Sequence, residues 1–291
     1  MDVINIAAER ASLGESPVWS AGESALYWVD ISGKRLHRAE FPSLSVQSWD
    51  TPSPAGMIAL RASGGLVAAM VDGLYAFDPG SADWQLLVEL ETDQPDNRPN
   101  DGKCDAVGRL WVGTMNMVDH MQPSGSFYCI DTDLKPKKIA GNIRIPNGLA
   151  WSPDDSLMYR TDTRSAMVWR YAFDAGAGTM GTEAEFFAFN VREIGGVDGA
   201  AMDAEGGYWA ALYGGGRVVR IDGDGKIDRE IALPARQPTM PCFGGPEMKT
   251  LFVTSAAQNL DDATLAAEPD NGGLLMVETD VVGHPVHPFR G

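Results

Sequence analysis

Basic residues, histidine and cysteine are all scarce in this chain of 291 residues. Lys and Arg together number 23 against 40 Asp and Glu, a formal charge of −17. A phosphate backbone is bound through Lys and Arg and the counterions they release, so nucleic acid is excluded as a partner. Three cysteines, Cys104, Cys129 and Cys242, are odd in number and far apart. They form neither a disulfide framework nor a zinc knuckle, and reduced, packed thiols are expected. Of the four histidines, His284 and His287 fall in the terminal "GHPVHPFRG", which reads as a solvated tail. No histidine-rich zinc site is expected. No run approaches the roughly 20 apolar residues that span a bilayer, and "MDVINIAAERASLGESP" lacks the basic start and apolar middle of a signal peptide. A cytoplasmic protein with no membrane partner follows as the expectation. There is no G-x-S-x-G elbow of a serine hydrolase. The glycine-rich "YGGGRVV" at 213 to 219 is neither a Walker loop nor followed by a helix, so it reads as a tight connection between strands.

What is present is a repeat. The stretches "VWSAGESALYWVD" (18 to 30), "ALRASGGLVAAMV" (59 to 71), "KCDAVGRLWVGTM" (103 to 115), "AWSPDDSLMYRTD" (150 to 162), "AMDAEGGYWAALY" (201 to 213) and "FGGPEMKTLFVTS" (243 to 255) share one pattern. Each is an apolar strand end, a polar turn and a second strand with aromatic or β-branched residues, which is a hairpin. Most are followed by a third strand, such as "GLYAFDP" or "MVWRYAFD". Six copies of a three-to-four-strand unit with little helical periodicity predict an all-β fold, a six-bladed β-propeller, with residues 1–291 as one domain. One small sheet cannot bury both faces, so the blades stack around a channel. The segment "VINIAAER" is expected to complete the last blade. The tryptophans of "WVD" and "WRY" are expected between blades.

The repeat also bears on "PNGLAW", where Asn147-Gly148 looks like a hairpin turn with no strand before it. Asn147 lies four residues before Trp151, the last residue ahead of the "SPDD" turn. The same offset in the other copies selects Glu15, Gly56, Asn100, Asp198 and Met240. Inner strands of a propeller line its channel, so these positions form one ring. Glu15, Asn100, Asn147 and Asp198 are hard oxygen donors converging on the axis. That predicts a central site for a divalent cation such as calcium, magnesium or manganese, which the two carboxylates neutralise. Taken singly, "PNG", "VDG" and "NDGK" are ordinary turn dipeptides; their shared register is what argues otherwise.

Several motifs resemble the SMP-30/gluconolactonase/regucalcin-like family of sugar lactonases, in its bacterial branch. "LGESPVW" is similar to the family's LGEGP opening, "NRPNDGKCDAVGRLWVGTM" to its NR-x-NDG-K signature, and "PNGLAWSPD", "DGAAMDAEGGYW" and "PCFGGPEMKTLFVTSA" to its later blades. The resemblance runs from about residue 13 to the C-terminus. It implies a six-bladed propeller holding one divalent metal, calcium first, with magnesium, manganese, zinc or iron as alternatives. The implied activity is hydrolysis of a small-molecule sugar lactone to the aldonic acid, by a monomer or weak homo-oligomer. Carried over position by position, the metal ligands fall on Glu15, Asn147 and Asp198, and substrate contacts on Arg98 and Asn100. A further contact in animal members is a glutamate shortly after the GTM motif. Counting without gaps places Val118 there, a departure from the family pattern, and Asp119 beside it is taken as the contact.

The expected chemistry follows. A divalent cation polarises the lactone carbonyl and acidifies a water. Asp198 takes the proton of that water as general base, while Arg98 and Asn100 hold the sugar hydroxyls. Two other classes remain open: a calcium-dependent propeller esterase or phosphotriesterase, and a non-catalytic calcium-binding propeller.

Overall fold

A computed structural model describes residues 2–6 and 9–291. Every repeat forms a hairpin, and every hairpin is the inner part of a four-stranded antiparallel sheet; there are six such sheets. Numbering blades in chain order, the inner strands are Gly14–Ser20, Ala55–Leu60, Asn97–Cys104, Pro146–Trp151, Gly196–Met202 and Pro238–Gly244. Each packs against the inner strand of the next blade, and the sixth returns against the first. This is the six-bladed β-propeller that the repeat predicts. The short strand Ile4–Asn5 pairs with Leu274–Glu278 as the outer strand of blade 6, so the N-terminal segment joins the last blade as expected. Ala7 and Ala8 of that segment lie outside the described residues.

Apolar residues concentrate in the six seams between blades, one cluster to each seam. Between blades 3 and 4, Trp111 and Trp151 both meet Phe173 edge-on, at 5.6 and 5.8 Å between ring centroids. Such pairs add about 0.5–1.5 kcal/mol each beyond the area they bury. Trp28 of "WVD" is buried on the ring of His37, and Trp169 of "WRY" packs into the seam between blades 3 and 4. All three cysteines are free and buried. The "YGGGRVV" segment turns between Tyr208–Tyr213 and Arg217–Ile221, with Gly214 and Gly216 at positive φ.

One feature of every inner strand has no counterpart in the repeat pattern. Each carries a one-residue β-bulge, between Glu15 and Val18, Ala55 and Met57, Pro99 and Gly102, Asn147 and Ala150, Val197 and Ala200, and Pro238 and Pro241. Bulges of this kind bend a strand and re-aim its side chains. The six ring positions all fall at or inside them. Asn147-Gly148 is therefore neither a hairpin turn nor regular strand. Gly148 sits in the bulge at φ 68°, and a Cβ there would lie 2.4 Å from the Tyr208 hydroxyl. Gly56, which interrupts the ring in blade 2, faces the backbone of blade 3, where a Cβ would lie 2.0 Å from the Pro99 carbonyl oxygen.

The C-terminal segment corrects the sequence reading. It is no solvated tail: it runs beneath five blades at the channel end opposite the ring. The Gly283 amide donates to the Met248 carbonyl of blade 6 and the His284 amide to the Met202 carbonyl of blade 5, while the Arg290 amide reaches the Gly108 carbonyl of blade 3. Phe289, 0% exposed, exchanges backbone hydrogen bonds with Leu60 and Ala62 of blade 2. His287 Nε2 lies 3.5 Å from Asp155 Oδ1 in blade 4. Among the described residues, no helix is long and apolar enough to cross a membrane.

Candidate functional site

The upper half of the channel opens into a cavity of about 260 Å³. Glu15, Arg98, Asn100, Asn147 and Asp198, from blades 1, 3, 4 and 5, all line it, and all five are buried. The structure thus brings the ring residues and the arginine together. Met240 and Gly56 are not among its lining residues.

A chain of hydrogen bonds crosses three blades. Arg98 Nη1 donates to Asn100 Oδ1 at 2.8 Å, and Asn100 Nδ2 donates to Asn147 Oδ1 and to the Pro146 carbonyl, both at 2.9 Å. Asn147 Nδ2 then donates to Thr163 Oγ1 at 2.9 Å, whose hydroxyl donates to the Val197 carbonyl at 2.8 Å. The last acceptor is the residue before Asp198, so the amides and the carboxylate are fixed relative to one another.

The "NDGK" stretch supplies a second layer. Asp101 Oδ2 accepts the Leu149 amide, in the blade-4 bulge just after Asn147, at 2.8 Å. Lys103 Nζ donates to the Ala200 carbonyl, which closes the blade-5 bulge after Asp198, also at 2.8 Å. Asp101 and Lys103 themselves approach to 4.0 Å. A single inner strand therefore pins the two bulges that present Asn147 and Asp198. Read as a turn, this motif conceals that role; it is bulged strand.

Electrostatically the floor of the cavity is unbalanced. Burial first, then the charges of Asp198's neighbours Glu15 and Asp101, push the Asp198 carboxyl well above the usual carboxylate range. Burial also raises Glu15, with Asp101 adding repulsion against the Ser16 amide and the Arg98 and Lys103 charges. Two desolvated carboxylates facing one another disfavour their own ionisation, and a cation between them reverses that. Arg98 stands beside them, its own pKa lowered to about 10 chiefly by burial. Among the described residues no group of three or more His, Cys, Asp or Glu is placed to hold a metal. The donor set is instead two carboxylates and the Asn147 amide oxygen, hard donors that suit calcium or magnesium. The Asp198 carboxylate accepts from the Gly199 backbone and, among the described residues, from no side chain, so it keeps acceptor capacity facing the cavity.

Asp119 is exposed and does not line the cavity; its Oδ1 accepts the Met121 amide at 2.9 Å. Val118 is 75% exposed. The residue of that loop that does line the cavity is His120. Tyr213, at the end of a repeat strand, also lines it, as do Thr163, Arg164, Gln258 and Asn259 from connections that carry no repeat signal.

A family model described as "SMP-30/Gluconolactonase/LRE-like region" matches residues 13–257. A relative from Pseudomonas putida named 6-deoxy-6-sulfogluconolactonase is 37% identical over 286 residues, covering 98% of each chain. Regucalcin of Xenopus laevis is 36% identical over 94% of this chain and 92% of its own. Among solved structures, a calcium-binding protein, regucalcin, from Agrobacterium tumefaciens superposes with a TM-score of 0.94 at 32% identity, over 99% of this chain and 96% of that one. The match spans all six blades and both the ring and the arginine motif, and the chain belongs to the SMP-30/gluconolactonase/LRE-like family.

Proposed function

We propose that this protein hydrolyses a sugar lactone to its aldonic acid in the upper cavity, with one divalent cation held by Glu15, Asn147 and Asp198. The observation that carries the reading is the pair of buried carboxylates joined to an amide oxygen at the channel axis, with the hydrogen-bonded Arg98 and Asn100 at its side. The donors fit a hard cation, because burial leaves both carboxyls in want of positive charge. When bound, the cation supplies Lewis acidity at the carbonyl and a lowered pKa for water.

The chain's own residues do the rest. Asp198 accepts a proton from the attacking water at a carboxylate oxygen, and the water oxygen forms the new bond to the carbonyl carbon. The acyl–oxygen bond of the ring breaks, and the departing ring oxygen takes up the proton that Asp198 had accepted, which regenerates the carboxylate and leaves the open-chain acid. Arg98, locked to Asn100 at 2.8 Å, presents its remaining N–H donors and Asn100 its amide oxygen to the sugar hydroxyls, so that the carbonyl meets the water. Thr163 holds the Asn147 amide, and Asp101 and Lys103 hold the two bulges, so the site is organised before substrate arrives.

The lactonase name of the Pseudomonas putida relative supports this reading, and the description of the Agrobacterium tumefaciens protein as calcium-binding supports a cation. The test is a panel of pentonolactones and hexonolactones beside a phosphotriester, followed by pH drop on metal-analysed protein before and after chelation. Lactone turnover that chelation abolishes and calcium restores is the expected result. Phosphotriester turnover alone would replace it with the propeller phosphotriesterase reading, and no turnover with metal bound would leave a calcium-binding propeller.

A further inference from the structure

Apart from Glu15 and Asp198 on the floor, the ionisable side chains lining the upper cavity, tyrosine aside, are Arg98, His120 and Arg164. None of these three is acidic, in a chain where acidic residues outnumber Lys and Arg by 40 to 23. Several arginines elsewhere are matched to carboxylates, Arg35 to Asp50 at 2.8 Å, Arg109 to Asp105 at 3.2 Å, Arg217 to Glu230 at 3.0 Å and Arg220 to Asp203 at 2.6 Å, while Arg144 and Arg170 donate to backbone carbonyls. Arg98 is engaged with Asn100 and lies in the field of Glu15 and Asp198. Arg164, exposed at the mouth of the cavity, has neither an ion pair nor a hydrogen bond on its guanidinium among the described residues.

The backbone beneath Arg164 is nevertheless well fixed. It belongs to the 3-10 turn Thr163–Ser165, capped by Asp162, whose Oδ1 accepts the Arg164 amide at 3.0 Å and the Ile145 amide at 3.2 Å. The preceding residue is Thr163, which holds Asn147. His120 faces the same space from the neighbouring blade. Its loop is tied down where Arg144 Nε donates to the Met121 carbonyl at 3.2 Å. Burial, then the charges of Arg98 and Arg164, lower the His120 pKa, and all three side chains line the one cavity. The one carboxylate of that loop, Asp119, accepts the Met121 amide through Oδ1 and only partly offsets those charges at His120.

We infer that Arg164 and His120 form a subsite for an anionic substituent, a phosphate or sulfonate, carried by the lactone at the end remote from its carbonyl. This rests on the lactonase reading above and narrows its substrate class. A guanidinium offers two parallel N–H donors that match a tetrahedral anion, and the His120 ring, held by the Met117 backbone, closes the subsite from the neighbouring blade. The arrangement also separates charges sensibly: the anion sits at the mouth beside the cations, away from the carboxylates that bind the metal.

The test compares glucono-δ-lactone with its 6-phospho and 6-sulfo analogues on calcium-loaded protein. In parallel, calorimetry measures binding of gluconate and 6-phosphogluconate. The anionic lactones should be favoured in kcat/KM by about 10- to 100-fold, the worth of a charge-assisted hydrogen bond. Arg164→Gln should remove most of that ratio, Arg164→Lys should keep more of it, and added salt should erode it. The larger of the two Arg164-dependent ratios distinguishes phosphate from sulfonate. Equal kcat/KM for neutral and anionic lactones, or a preference that survives Arg164→Gln, would overturn the inference while leaving the lactonase intact. If no lactone is hydrolysed but 6-phosphogluconate outbinds gluconate in an Arg164-dependent manner, the anion subsite stands and the lactonase reading fails.

Discussion

The two halves of the channel are built from the same six strands and differ in almost everything else. Above the bulges the walls set carboxylates, amides and arginines among Leu13, Met115, Ile145 and Val191, around about 260 Å³ of open space. Below them the strands contribute Cys104, Trp151, Met202, Cys242 and Phe243 to a pocket of about 60 Å³, which the segment from His284 to His287 covers. The contrast shows how a propeller separates two demands. The lower half satisfies its backbone, buries apolar surface and is closed by the chain's own C-terminus. The upper half gathers buried charges that oppose folding and are useful only to a ligand.

Exchanging residues between these roles should give effects of different kind and decreasing size. The largest is expected for Asp198→Asn, whose amide oxygen can still face a cation but cannot take a proton at neutral pH. Lactone turnover should fall about 10²- to 10⁴-fold, or about 3–5 kcal/mol of barrier, with metal content measured on the same sample. A metal-replete variant within a few-fold of wild type would remove the base role from Asp198.

Phe289→Ala should act entirely on the lower half. Emptying a fully buried aromatic site costs about 3–5 kcal/mol. Denaturant unfolding should show that loss, while kcat per folded molecule stays close to wild type. A kinetic defect as large as the stability defect would mean that the two ends are coupled.

Lys103→Met lies on the border. The chain to Ala200 holds the blade-5 bulge, and supporting groups of this kind are worth about 10- to 100-fold in metal affinity or activity. Calcium titration should reveal weaker binding even in the fraction that remains folded; unchanged affinity would reduce Lys103 to a packing residue. The smallest effect is expected for Trp151→Phe, because Trp151 Nε1 has no hydrogen-bond partner to lose. A stability change under about 1.5 kcal/mol and unaltered metal content are expected, whereas Asn147→Ala, four residues away, should lose metal.

How far the sequence reaches also divides along the channel. The blades, their inner strands and the coming together of Glu15, Asn100, Asn147 and Asp198 are legible, because a repeat fixes which positions share a ring. The bulges that aim those side chains are not. Only Gly56 and Gly148 hint at them, and each reads more simply as a turn residue until the opposing Pro99 carbonyl and Tyr208 hydroxyl are seen. Counting along the chain selects Asp119, whereas the loop residue lining the cavity is His120, since loop side chains alternate by local turns that counting cannot resolve. The C-terminal segment looked solvated because its composition is polar and proline-rich. What anchors it is Phe289 against blade 2, a contact more than 200 residues away in sequence. Outer strands such as Val46–Asp50 are partly exposed and weakly patterned, so they too left little trace.

The central claim is that Glu15 and Asp198 are a seat for a cation and are strained without one. Their folded-state pKa values are raised first by burial and then by neighbouring carboxylates, Asp101 at Glu15 and both Glu15 and Asp101 at Asp198. The folded protein therefore binds more protons than the unfolded chain above the ordinary carboxylate range, and metal-free stability should fall as pH rises. Thermal unfolding of metal-stripped and calcium-loaded protein at about pH 5 and about pH 8 tests this directly. The account predicts a calcium-induced rise in Tm that is larger at the higher pH and is lost in Glu15→Gln. A calcium effect that is absent, or the same at both pH values and unchanged in Glu15→Gln, would contradict it.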